Sequence, residues 1–335
     1  MRLKCQAAIA TIVTIAATAA ATTAGILTAL ASGSAQAQQK FPSKPIRLIV
    51  SFTAGGTPDT LARMLGPRIS ESLGQPIVIE NRPGAGGALA AAIVAKAPAD
   101  GYTLLAASPG HAINAALQPN LPYHPVNDFA GVANIGYSTV ALVVSPTLGP
   151  KTVKELVALG HSLPGKFFFG SAGAGSGTHM NGERFRIVAG IKAVHVAFKG
   201  QPEFLIEIVA GRVHYGVAGL GPSMSLIKEG RLLPLAVLPQ RTPLLPEVPA
   251  LSDILPGAAR DGFQLWLAPA GTPLAIRTQL SREIARVLAL PEVKERLTNV
   301  AFQVHHSPPD ETERLLRADI ASFTKLATDA GMRAK

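Results

Sequence analysis

"SFTAGGTPDTLARML" (51–65) decides the fold. It continues "IRLIVS" (46–51), a branched apolar run that reads as a strand. A glycine pair, Gly55-Gly56, interrupts that run, and Thr57 then stands where a helix N-cap belongs, with Pro58 at the first helical position. Leu61, Met64, Leu65 and Ile69 keep helical spacing to about Leu73. Strand, glycine turn and helix make one unit of an α/β fold. Such a turn presents backbone N–H groups at a helix N-terminus, a setting that favours an anion.

The same unit recurs on both sides. "PIVIEN" (76–81) is a second strand, "PGAGG" (83–87) a second turn, 88–97 an Ala-rich helix and "YTLLAAS" (102–108) a third strand. A second round follows: strand "ALVVS" (141–145), helix 152–159, strand "KFFFGS" (166–171), turn "AGAGSGTH" (172–179) and helix 179–189. Strand "KAVHVAF" (192–198), helix 202–210 and strands "RVHYGVA" (212–218) and "LLPLAVL" (232–238) complete it. The Pro-rich stretch 239–256 reads as a surface loop, "FQLWLAP" (263–269) as one more strand, and 273–289, 291–299 and 309–330 as closing helices. This order predicts two α/β lobes, each a mostly parallel sheet flanked by helices. Residues 38–140 form the first, 141–262 the second, and 263–335 return to the first.

Residues 1–37 stand apart. Arg2 and Lys4 precede an apolar Ala- and Thr-rich stretch from Ala7 to Leu30, and "SGSAQA" ends in an A-x-A pattern at Ala37. This is the layout of a cleaved secretory signal peptide, which predicts a periplasmic location. Cys5, the one cysteine, lies inside it, so the mature chain carries no thiol and no disulfide. The whole chain carries 31 Lys and Arg against 21 Asp and Glu; without Arg2 and Lys4 the balance is 29 against 21, a net +8. The basic residues are scattered and aromatics sparse, which argues against nucleic-acid binding. A positive field still helps to gather small anions.

The known phosphate and catalytic spacings fail. "GAGGAL" (84–89) and "GAGSGT" (173–178) end in Leu89 and Thr178 where a dinucleotide turn needs Gly or Ala. "GHSLPGKF" (160–167) has Phe167 where a P-loop needs Ser or Thr. Ser171 and Ser176 lack the G-x-S-x-G elbow, because Phe169 and Ala174 hold the first position. A hydrolase built on Ser176 and His179 is the catalytic rival, and this missing elbow weighs against it. No H-E-x-x-H occurs, and adjacent His305 and His306 point opposite ways on a strand. No metal, cofactor or enzymatic activity is expected. Asp59 has two readings, a partner of the helix dipole or an acceptor for a ligand amine or hydroxyl. Ser108 and His111, after the third strand, are candidate neutral donors, and Lys199 reads as solvated.

Taken together, "FPSKPIRLIVSFTAGGTPDTLAR", "LGQPIVIENRPGAGG", "PADGYTLL", "HAINAAL", "SAGAGSGTHMNGE", "HVAFKG" and "LAPAGTP" resemble the Bug receptors, the solute-binding proteins of tripartite tricarboxylate transporters. The resemblance runs from about Phe41 to the C-terminus. It implies a two-lobed Venus-flytrap fold that closes over a small carboxylate, acts as a monomer and hands its ligand to membrane transporter subunits. Delivery to a signalling ectodomain is the alternative partner. Carried over, the motifs place the ligand against Phe52, Thr53, Ala54, Gly55, Gly56, Thr57 and Asp59, against Ser108 and His111, and against Ser171, Gly175, Ser176, Thr178 and His179. The family's "PFPPGG"-like first turn is "SFTAGG" here, and Ala88 stands for a frequent asparagine. "VHYGVAG" (213–219) puts Ala218 where an acidic residue is frequent, and Gly219 where an amide is. That loss weakens the case for an ammonium-bearing ligand and makes room beside Ala218 for a bulkier, less polar carboxylate.

Overall fold

A computed structural model describes residues 41–258 and 262–332. The expected signal peptide and Cys5 lie outside the described residues. The first half runs β1 (Ile46–Val50), α1 (Thr57–Leu73), β2 (Ile77–Asn81), α2 (Ala88–Ala95), β3 (Thr103–Ala107), α3 (Gly110–Leu117) and β4 (Phe129–Ser138). Next come β5 (Val140–Val144), α4 (Val153–Ser162), β6 (Phe167–Ser171), α5 (Gly177–Val188), β7 (Ala193–Ala197) and α6 (Gln201–Val209). They are followed by β8 (Tyr215–Gly219), α7 (Leu220–Lys228), β9 (Leu233–Leu238) and α8 (Leu251–Ile254). The chain ends with β10 (Gln264–Pro269), α9 (Leu274–Leu288), α10 (Pro291–Asn299), β11 (Phe302–Ser307) and α11 (Pro309–Asp329).

These strands make two mixed sheets, in the orders β11-β4-β10-β3-β1-β2 and β7-β6-β8-β5-β9. The expected parallel βαβ pairing is found in β2-β1-β3 and β7-β6-β8. The remainder is antiparallel, because β10 returns between β3 and β4, and β5 enters between β8 and β9. Thr139 alone separates β4 of the first sheet from β5 of the second. It is buried, receives a bond at its carbonyl from Leu220 N–H and donates its own N–H to Ala301 O.

Burial explains the strand pattern. In β1, Ile46, Leu48, Ile49 and Val50 are all buried, as a central strand covered on both faces requires. Arg47 points outward and pairs with Glu80 of β2 at 2.7 Å. One core gathers Ile49, Ala91, Val94, Leu105 and Leu267 around the first sheet. Another packs Leu142, Phe167, Phe169, Phe185 and Tyr215 against the second.

Candidate functional site

Two glycine turns, one from each sheet, are built on the same plan. In the first, Gly55 has φ +84° and Gly56 is the extended N-cap of α1 at φ −70°, ψ 162°. In the second, Gly175 has φ +75° and Ser176 is the extended N-cap of α5 at φ −73°, ψ 161°. Gly56 N–H bonds Thr53 O, and Ser176 N–H bonds Gly173 O. Each positive-φ glycine also donates its N–H to the side chain four residues on: Gly55 to Asp59 Oδ2 at 2.9 Å, Gly175 to His179 Nδ1 at 3.0 Å. Thr57 is therefore the first helical residue and not the cap. Gly56 takes the extended conformation the cap position requires, and the orphan amide of the turn is satisfied from Asp59 instead.

Both turns open onto one cavity of about 760 Å³. The first turn contributes Phe52, Gly56, Thr57 and Pro58, and the second Ala172, Ala174, Gly175, Ser176 and Gly177. Ser108, Pro109 and Gly110 bring the start of α3, while Asn114, Leu117 and Gln118 line a further wall. Ala85 and Gly86, in the turn before α2, are held by Asn114, whose Nδ2 donates to both their carbonyls. Gln264 and Met332 complete the wall. The N-termini of α1, α3 and α5 thus meet at a cavity whose lining, among the described residues, contains no Lys, Arg, His, Asp or Glu. Their partial positive charges favour an anion there without a cationic side chain.

Of the fifteen candidates, Phe52, Gly56, Thr57, Ser108, Gly175 and Ser176 line the cavity. Thr53, Ala54 and Gly55 shape the first turn without lining it. Six others do not line the cavity and are engaged within the protein. Asp59 is buried and spends its oxygens inside the protein, on Gly55 N–H, on Arg63 Nε at 3.0 Å and on Asn81 Nδ2 at 2.9 Å. Burial alone would raise its pKa, but these hydrogen bonds outweigh it and hold the carboxyl below its ordinary value. His111 is buried between the rings of Tyr123 and Phe129, donates Nε2–H to Pro125 O, and is pushed down to about pKa 4 by desolvation. Ser171 is fully buried, with Oγ 2.6 Å from His195 Nε2. Thr178 turns Oγ1 back to accept Ala172 N–H. His179 stacks on His195 at 3.7 Å behind the second turn, and Ala218 is sealed in the core beside Phe204 and Leu220.

Sequence reasoning missed Asn114, Leu117, Gln118, Gln264 and Met332 as wall residues. The first three follow from α3, whose eight residues were not recognised as a helix, although "HAINAAL" was noted. Gln264 was read only as part of a strand. Met332 reaches the cavity by tertiary packing against Ile113, Met180 and Phe323, for which a sequence carries no local signal.

The model for the tripartite tricarboxylate transporter family receptor, TctC, matches residues 61–332. Protein BugT of Bordetella pertussis is 30% identical over 299 residues, covering 88% of this chain and 92% of BugT. R. palustris Rpa4515, solved with adipate, is 34% identical with a TM-score of 0.76, covering 87% of this chain and 98% of that one. MatC (Rpa3494) from Rhodopseudomonas palustris, solved with bound malate, is 30% identical with a TM-score of 0.71, covering 85% and 99%. The fold is that of a periplasmic solute-binding protein, and the chain belongs to the tripartite tricarboxylate transporter receptor family.

Proposed function

We propose that this chain is an exported, non-enzymatic receptor that captures a small organic carboxylate and delivers it to the membrane subunits of a tripartite transporter. The observation that carries this reading is the convergence of three helix N-termini on a cavity whose lining, among the described residues, holds no charged side chain. A carboxylate bound there takes its hydrogen bonds from amides and hydroxyls and its electrostatic stabilisation from helix ends. The adipate and malate in two relatives support the ligand class.

In this reading the two sheets belong to two lobes, 38–140 with 263–335 and 141–262, which close by a hinge motion as the ligand favours the closed population. Residues 1–37 are the leader that exports the chain to the periplasm. The ligand contacts Phe52, Gly56, Thr57, Ser108, Gly175 and Ser176. The geometry around Ser176 supports a receptor over a hydrolase. His179 Nδ1 accepts Gly175 N–H and its Nε2 lies 3.7 Å from Glu183, so neither ring nitrogen serves Ser176 Oγ as a base. Ser176 Oγ itself donates to Gly173 O.

A thermal-shift screen of the mature protein against di- and tricarboxylates, amino acids and aromatic acids tests the reading. At least one carboxylate raises the melting temperature, with the logarithm of its excess over Kd. A flat response to the whole carboxylate set overturns it.

A further inference from the structure

The polar groups of the cavity wall differ in how fully they are paired. Asn114 Nδ2 serves Ala85 O and Gly86 O, and its Oδ1 accepts Gln118 Nε2–H. Ser176 Oγ accepts His179 N–H and donates to Gly173 O. Gln264 is the exception. It lines the cavity, it is only 6% exposed, and its Oε1 is buried with no hydrogen-bond partner among the described residues. An unpaired buried acceptor is a standing cost, and a wall residue is where a ligand can remove it.

The position of Gln264 sharpens what the ligand must offer. β10 runs antiparallel to β3 with Leu265 opposite Ala107, which sets Gln264 alongside Ser108 at the cavity end of the first sheet. Ser108 Oγ already accepts Gly110 N–H, so the hydroxyl proton of Ser108 is left to give. The pair therefore presents a buried unpaired acceptor, Gln264 Oε1, beside the donors Ser108 O–H and Gln264 Nε2–H, and that acceptor is satisfied only by a ligand group that donates. A carboxylate oxygen only accepts and an ammonium only donates, whereas a hydroxyl does both.

We propose that Gln264, with Ser108, is a specificity-determining pair that selects carboxylates bearing a hydroxyl group on the carbon skeleton over the same acids without it. The inference rests on the receptor reading above. The carboxylate sits at the helix N-termini, and the hydroxyl meets Gln264 and Ser108 on the first-sheet wall. A site built to pair a hydroxyl discriminates against the analogue that leaves its buried groups unpaired.

The test is calorimetry with acids that differ by one hydroxyl: malate and succinate, 4-hydroxybutyrate and butyrate, 4-hydroxyphenylacetate and phenylacetate. The wild-type protein binds the hydroxylated member of at least one pair about tenfold more tightly. Gln264→Met, close in volume and without an acceptor, brings that ratio to about one. Gln264→Glu keeps an acceptor in place, so the ratio survives while like charge weakens every acid, and Gln264→Ala, which removes the acceptor without adding bulk, brings the ratio to about one if the Met variant does not fold. Equal binding of both members of every pair by the wild type overturns the inference and leaves the receptor standing, as does a Met variant that weakens both members alike. If no acid of the panel and none of the wider screen binds, the receptor reading itself falls and takes this one with it.

Discussion

The turns before α1 and α5 share their backbone and differ in their anchor. Both place a glycine at positive φ, an extended cap and an amide bonded to the side chain four residues on. Asp59 anchors the first, and His179 the second. Asp59 faces one partly exposed cation, Arg63, and the Asn81 amide, and Asn81 Nδ2 also reaches Phe52 O at 3.0 Å, so this anchor ties the turn to β2. His179 is stacked on His195, which lies between it and Phe169, and is backed by Glu183, itself paired with Arg186 at 2.6 Å. The difference teaches that the charged residue of the first turn fastens the backbone of that turn from within the protein. Position i+4 is set by the turn's need for an acceptor, which a carboxylate or a neutral imidazole nitrogen can each supply.

The largest effect expected from this contrast is at the two positive-φ glycines. A Cβ on Gly175 meets Leu117 Cδ1 of α3 at 3.3 Å, whereas one on Gly55 meets nothing within 4 Å. Both substitutions incur backbone strain of about 1–2 kcal/mol. Gly175→Val additionally drives its branches into the cavity and against α3. Gly175→Val should weaken the tightest ligand of the screen about 100-fold, near 2.7 kcal/mol, and Gly55→Val less than about threefold while lowering stability. Equal affinity losses in calorimetry would break the contrast in which Gly175 lines the cavity against Leu117 and Gly55 does not line it.

Next is the anchor itself. Asp59→Ala removes the acceptor for Gly55 N–H and Asn81 Nδ2. The exposed half of the pair with Arg63 contributes little, since Arg63 is 55% exposed and solvent screens it. The expected cost is about 2 kcal/mol, or roughly 4–8 °C in Tm. Asp59→Asn should recover part of it, because the amide oxygen still accepts. If Asp59→Ala instead leaves Tm unchanged and alters only which acids bind, Asp59 is a selector after all.

That outcome bears on what the sequence could convey. The strand-turn-helix order of both halves was legible, because branched apolar runs and glycine turns are local signals. β4 was not: "FAGVANIGYS" mixes two glycines and Asn134 into a strand buried along most of its length, so neither alternation nor a clean apolar run marks it. β11 escaped for a related reason, since "FQVHHS" carries polar residues on an exposed edge. At the site, the two turns were legible from glycine spacing, but the caps were not: Gly56, not Thr57, caps the first helix, and Ser176 caps the second. The side chains behind the wall were not, because whether Asp59 or His111 faces a ligand or a protein partner depends on Asn81, Tyr123 and Phe129, which lie far along the chain.

The surroundings of the two anchors should also part in acid, because His195 stacks on His179. Burial pushes His195 down to about pKa 4, helped by the neighbouring His179 ring and opposed by Glu183. An unfolded histidine titrates near 6.5, so between about pH 6.5 and 4 the unfolded state binds more protons and stability falls as pH falls. Asp59 behaves differently: its folded pKa is depressed, so its contribution holds above about pH 4 and is lost only as pH drops through the folded value. His195→Gln keeps a polar partner for Ser171 and does not titrate. The stability advantage of wild type over this variant should shrink by about 1.5 kcal/mol from pH 7 to pH 4, discounted for the solvent on the open side of the ring. Denaturant melts at four pH values measure it, and His111, buried and present in both proteins, cancels. A constant difference across that range would mean that His195, stacked on the second anchor, adds no sensitivity to mild acid.

The smallest effect concerns the caps. Ser176 accepts His179 N–H at 3.1 Å, so α5 has a side-chain cap, while Gly56 supplies none to α1. Ser176→Ala should therefore cost about 1 kcal/mol, the ordinary value of an N-cap. It also frees Gly173 O and Thr178 Oγ1, both of which Ser176 Oγ now contacts at 2.7 and 2.9 Å. Thr178 keeps Ala172 N–H, so the turn stays folded and its amides stay aimed at the cavity. Affinity should fall by less than about fivefold, the size of one modest hydrogen bond. A loss as great as that of Gly175→Val would show that the hydroxyl, and not the backbone of the turn, carries the binding. The two turns would then differ in mechanism as well as in anchor, because Gly56 has no hydroxyl to offer.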